Sequence, residues 1–202
     1  TLDPEGVGEG LRTKVNVNLG ISGDLMDEEM ELEKARIALE LGAEGIMDLS
    51  NHGKTREFRR KLLAMSSAMI GTVPMYDAIG YLEKPLIGIT AQDFLDVVRA
   101  HAEDGVDFVT VHAGMNRRVI ESFKETGRLM NIVSRGGSLI FAWMEATGNE
   151  NPFYEHYDEV LEILHEYDVT ISIGDAMRPG CTYDASDAGQ IAELIEIGKL
   201  TK

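Results

Sequence analysis

The sequence predicts an α/β fold with a parallel sheet built from repeated βα units, and three observations carry that expectation. A helix-glycine-strand joint occurs twice, at Gly42-Ala43-Glu44-Gly45-Ile46-Met47-Asp48-Leu49-Ser50 and at Gly105-Val106-Asp107-Phe108-Val109-Thr110-Val111-His112. Recurring units of this kind produce parallel strands. Residues 169–180 run from alternating apolar positions (Val169, Ile171, Ile173) into a glycine-bounded turn carrying Asp175 and Arg178, so a strand delivers a charged pair at its carboxyl end. No low-complexity linker divides residues 12–202, which places all the units in one domain.

Each element follows from its own pattern. Residues 1–11, with glycines at 6, 8 and 10, read as a flexible amino-terminal arm. Residues 14–21 alternate apolar with polar and form the first strand. Residues 27–41 place Met30, Leu32, Ile37 and Leu41 near helical spacing among acids, a surface helix. The second strand lies within 42–50, and 54–65 is a basic helix. Residues 69–76 read as a strand ended by Pro74. A helix over 91–104 precedes the strand at 105–112. Residues 131–136 are expected as a further strand, followed by a helix over 138–147. An amphipathic helix over 154–167 leads into the strand at 169, and 185–200 is the last helix. About six βα units result, where a closed barrel has eight.

The 202 residues are 44% hydrophobic and 27% charged, ordinary for a folded domain. A formal charge of −16 argues against nucleic acid or an anionic membrane as partner, because both would repel it. A small anion is compatible where cations are concentrated locally. The single cysteine, Cys181, permits neither a disulfide framework nor a CxxC metal site and suits a reducing cytoplasm. The absence of a long apolar run and of a basic-then-apolar leader gives the expectation of a soluble, unexported protein.

In a parallel α/β fold, ligands bind at the carboxyl ends of the strands. The residues there are Asn18, Met47, Tyr76, His112, the Ser134-Arg135-Gly136-Gly137 turn, Asp175 and Arg178. Each also has a plain structural role: Asn18 as a turn residue, Met47 and Tyr76 as packing, His112 as a hydrogen-bonded core histidine, and Asp175 with Arg178 as a simple ion pair. The Ser134 turn is more informative. A hydroxyl, backbone N–H groups and a fork-shaped cation at the start of a helix are what a phosphate requires. His101, His156 and His165 fall within helices and read as solvated or packing residues, and His52 as a loop residue.

The ordered motifs Asn-Val-Asn-Leu-Gly, Met-Asp-Leu-Ser, Gly-Thr-Val-Pro-Met-Tyr, Val-His-Ala-Gly, Ile-Val-Ser-Arg-Gly-Gly-Ser and Gly-Asp-Ala-Met-Arg-Pro-Gly resemble those of the phosphomethylpyrimidine synthase (ThiC) family, over about residues 12–202. The resemblance implies a (β/α)8 TIM-type barrel, here present in part, and a radical S-adenosylmethionine enzyme. It further implies conversion of 5-aminoimidazole ribotide, a phosphorylated imidazole nucleotide, to the hydroxymethylpyrimidine phosphate of thiamin. The substrate contacts it implies fall on Asn18, Met47, Tyr76, His112, Ser134, Arg135, Gly136, Asp175 and Arg178. The implied cofactors are a [4Fe–4S] cluster, S-adenosylmethionine and an additional divalent metal such as zinc, and the implied assembly is a homodimer.

Two departures matter. The family's CxxCxxxxC cluster motif, its Glu-Gly-Pro-Gly-His turn and its metal-binding histidines do not occur in these residues, so this stretch is expected to be inactive by itself. After Met-Asp-Leu-Ser the sequence continues Asn51-His52-Gly53-Lys54 rather than the usual Thr-Gly. That keeps a related branch open, in which the same substrate yields 5-hydroxybenzimidazole for cobamides. A third reading is a non-catalytic ribotide-binding protein without a cluster.

Overall fold

The computed structural model describes residues 2–82 and 84–202. Among these, the chain runs β1 (Asn16–Leu19), α1 (Glu28–Glu40), β2 (Gly45–Asp48), α2 (Thr55–Met65), β3 (Met69–Thr72), α3 (Pro74–Tyr81), α4 (Ala91–Glu103), β4 (Phe108–Val111), α5 (Arg117–Lys124), α6 (Arg135–Thr147), α7 (Pro152–Glu155), α8 (Tyr157–Glu166), β5 (Thr170–Ile173) and α9 (Ala188–Leu200). The five strands form one sheet in the order β1-β2-β3-β4-β5, and every pairing is parallel.

The predicted joints form as their glycines dictate. Gly42 and Gly105 take φ of 84° and 90° and close α1 and α4 just before the next strand, a left-handed position that residues with a Cβ rarely adopt. A third joint uses Asp168 at φ 55° between α8 and β5. Helix starts are capped by side chains: Asp27 accepts from Met30 N, Thr90 and Asp93 make a reciprocal capping box, Ser134 accepts from Gly137 N, and Asp187 accepts from Gln190 N. Each such cap is worth roughly 1 kcal/mol.

The sheet has two distinct faces. Leu19, Ile46, Ile70, Val109 and Val111 face the helices and are buried. One cluster joins Leu19, Ile46 and Ile70 to Phe58 and Leu62, and a larger one centres on Phe94, Trp143 and Phe153. Phe94 meets both Trp143 and Phe153 edge-on with centroids 5.6 Å apart, the geometry aromatic rings prefer. On the other face the register aligns Asn18 with Met47, Met47 with Gly71, and Gly71 with Phe108.

Three expectations are corrected. Residues 131–136 form no strand, so five strands rather than about six are present among the described residues. Asn131 has φ 54°, the N–H groups of Leu129 and Met130 are bound by the Asp184 carboxylate, and α6 begins at Arg135. The segment is therefore tied to a neighbouring loop instead of a ladder. The strand at 69 ends at Thr72, and Pro74 occupies the first turn of α3, where its missing N–H costs nothing. The helix expected over 154–167 is broken at His156 into α7 and α8. Ile171 and Ile173 are half-buried, because among the described strands β5 pairs only with β4.

A candidate ligand site at the carboxyl ends of the strands

His112 follows the last residue of β4 and is 4% exposed. Asn151, fully buried, donates from Nδ2 to both His112 O and Met115 O, which fixes the backbone just beyond the strand. The imidazole Nε2 lies 3.0 Å from Ser134 Oγ, and Nδ1 is a buried polar atom without a hydrogen-bond partner. The close approach of Gly136 explains the fit, because a methyl group there would overlap the His112 ring. Gly174 approaches from β5, with its bare Cα against Thr110 and the same ring.

Burial, and then the positive charge of Arg178, depress the His112 pKa to about 4. The ring is therefore neutral near pH 7 and able to donate from one nitrogen and accept at the other. Because the folded value lies below the unfolded one of about 6.5, this group's contribution to stability is present above about pH 6.5 and lost as the pH falls toward 4. Histidine ring 15N shifts should show His112 uncharged at pH 5.5; a midpoint near 6.5 would contradict the packing described here.

The first turn of α6 adds cationic and N–H character. Ser134 is completely buried and its hydroxyl is already engaged, accepting from Gly137 N at 3.1 Å and meeting His112. Its hydroxyl thus caps the helix and meets the imidazole, while the Arg135 guanidinium stands at the same helix start. Arg135 is exposed, with its guanidinium carbon 5.5 Å from the Tyr76 ring centroid. Tyr76 sits on the first turn of α3 rather than at a strand end, a displacement produced by Pro74 starting a helix.

Beyond β5 the chain turns through Asp175 and Arg178. Arg178 Nη1 donates to Asp175 O at 2.9 Å and lies 3.7 Å from its carboxylate. The main-chain bond is the closer contact. Tyr76, Arg135, Gly136, Ser134, His112 and Gly174 thus form one run of contacts, which Asp175 and Arg178 continue along the chain. Asn18 and Met47 lie side by side on β1 and β2, separated from His112 by β3, Asn18 exposed and Met47 buried with its sulfur against Gly71.

Several residues that hold these groups gave no signal in the sequence. Thr55, Arg59, Asp77, His101 and Asp104 form a buried polar network behind α3, and His101 is a correction: it is neither solvated nor a simple packing residue. Its Nδ1 lies 2.8 Å from Thr72 Oγ1 and its Nε2 2.9 Å from Asp77 Oδ2. A cavity of about 520 Å3 lies at the opposite, amino ends of the strands, beside Lys14, Asn16, Met69, Phe108 and Thr170. It contains none of the expected ligand residues. No group of three or more His, Cys, Asp or Glu among the described residues could hold a metal ion, and no described helix is long and apolar enough to cross a membrane. With Cys181 as the one cysteine, the donors for an iron–sulfur cluster are not within these residues, so the residues present do not fit that group.

A family profile described as the radical SAM ThiC family matches residues 1–202. The chain is 63% identical over 202 residues to the phosphomethylpyrimidine synthase of Alkaliphilus oremlandii (strain OhILAs), covering 100% of this chain and 46% of that protein. Over 202 residues it is 63% identical to the enzyme of that name from Pelotomaculum thermopropionicum and 62% identical to the one from Clostridium tetani, covering 47% and 44% of them. The chain therefore spans just under half the length of these relatives.

Proposed function

The chain belongs to the radical SAM ThiC family, and from that membership we propose that it forms the substrate-binding part of a phosphomethylpyrimidine synthase, a (β/α)8 barrel enzyme of thiamin pyrimidine synthesis. The proposed substrate is 5-aminoimidazole ribotide. The observation that carries this reading is the convergence of a neutral, partly unpartnered His112, the Arg135-bearing start of α6 and the Asp175–Arg178 turn on one rim. A phosphate suits the helix start and its guanidinium. Ribose hydroxyls or the imidazole amine suit Asp175 and Arg178, and His112 orients the heterocycle by hydrogen bonding.

A [4Fe–4S] cluster with S-adenosylmethionine would supply the radical chemistry in the whole protein. What these residues do is bind and orient. A cytoplasmic homodimer goes with the reading. The test is anaerobic reconstitution of the whole polypeptide with iron and sulfide, followed by incubation with the ribotide and S-adenosylmethionine. Formation of 5′-deoxyadenosine together with hydroxymethylpyrimidine phosphate is expected by mass spectrometry. A hydroxybenzimidazole product would move the protein to the cobamide branch that the Asn51–Lys54 loop keeps open, and ribotide binding without deoxyadenosine would make it a binding protein.

A further inference from the structure

A buried side chain of α9 holds the turn bearing Asp175 and Arg178. Glu193 is 1% exposed, and each of its carboxylate oxygens accepts one main-chain N–H: Oε1 from Ala176 at 2.8 Å and Oε2 from Met177 at 2.7 Å. Arg128 completes the attachment, donating from Nη2 to Met177 O at 2.5 Å while pairing with Asp187 at 2.6 Å. Ala176 and Met177 are fully buried, whereas Asp175 is exposed and Arg178 half-exposed on either side of them. Where the two functional side chains stand is thus decided by the two amides between them.

A buried carboxylate is costly compared with an apolar side chain of similar size, so packing alone does not account for Glu193. What it adds is a two-point grip on consecutive amides that an apolar residue lacks. We propose that Glu193 is a positioning residue of the candidate site, fixing the turn so that Asp175 and Arg178 present their polar groups to the ligand together. The identity of that ligand as the ribotide rests on the function proposed above; the grip on the turn does not.

The test uses the whole polypeptide. Glu193→Gln keeps the volume and one acceptor oxygen but sets an amide NH2 against the second N–H. With the fold retained by circular dichroism, the amides of Ala176 and Met177 should exchange about tenfold faster or more, and the ribotide Kd should rise about tenfold, the scale of one charged hydrogen bond. The control Glu121→Gln, on an exposed face of α5, should change neither. Unchanged exchange at 176 and 177, or faster exchange with unchanged Kd, overturns the proposal. If Glu193→Gln fails to fold, Glu193→Asp, too short to reach both amides, is held to the same two readouts. Should the unaltered protein bind no ribotide, the substrate reading falls, and the exchange rates alone decide whether Glu193 holds the turn.

Discussion

Asp77→Ala should lower the unfolding free energy by about 3–5 kcal/mol, the range for removing one partner of a buried, hydrogen-bonded ion pair. Asp77 Oδ1 accepts from Thr55 Oγ1 at 2.5 Å, and Oδ2 from His101 Nε2 at 2.9 Å and Arg59 Nη1 at 3.3 Å. The Arg59 and Asp77 side chains are 2% and 6% exposed, so truncation strands three buried donors at once. Burial alone would raise the Asp77 pKa, but the bond from His101, that from Thr55 and the charge of Arg59 together hold it below the usual range. Its contribution is consequently present at neutral pH and lost as the pH falls through that depressed value. Burial, against the bond to Asp77, pushes the His101 pKa below the usual imidazole value. Urea titration at pH 7 measures the loss, and a change under 1 kcal/mol would mean that solvent reaches the network. Tyr76 precedes Asp77 on the same turn of α3, so a surviving Asp77→Asn protein should also bind ligand more weakly.

Arg135→Ala should weaken binding of the ribotide by about 1.5–3 kcal/mol, roughly 10- to 100-fold in Kd, if that guanidinium grips a phosphate. The side chain is exposed and spans the space between the α6 start and Tyr76. Arg135→Lys should fall between the two, because it keeps the charge and loses the planar fork. Calorimetry on the whole polypeptide, with the ribotide and with the nucleoside lacking phosphate, separates the contributions: the nucleoside should bind the unaltered and Arg135→Ala proteins alike. Equal ribotide affinity in both proteins would place phosphate recognition elsewhere on the rim.

The parallel fold was legible because its punctuation is local. Gly42 and Gly105 announce helix ends by backbone geometry, and the strand that follows each is read within a few residues. The equivalent joint at Asp168 carries no such mark, and Asn131–Ser134 looks like a strand because Ile132 and Val133 are apolar, although Asp184, some 50 residues later, binds the N–H groups just before it. Nor does Pro74 announce whether it ends a strand or begins a helix: β3 has already stopped at Thr72, and Pro74 opens α3. The candidate ligand residues were named from their motifs. Their supports were not, because Glu193 reaches back 16 and 17 residues and Arg59 meets partners 18 and 45 residues away. Nothing in the local pattern of α9 or α2 distinguishes such a residue from an ordinary surface acid or base.

The inward-facing acids also change what the formal charge means. Glu31 binds Gly20 N, Glu150 binds the N–H groups of Arg117 and Asn151, Asp184 those of Leu129 and Met130, and Glu193 those of Ala176 and Met177. Burial, against those two bonds, pushes the Glu193 carboxyl up to about 7, so at neutral pH it is only partly ionised. Part of the −16 therefore belongs to carboxylates that are solvated by peptide N–H groups inside the molecule rather than by water. At the candidate rim two cations, Arg135 and Arg178, stand with one exposed carboxylate, Asp175, so the charge balance among these three side chains is opposite in sign to that of the whole chain.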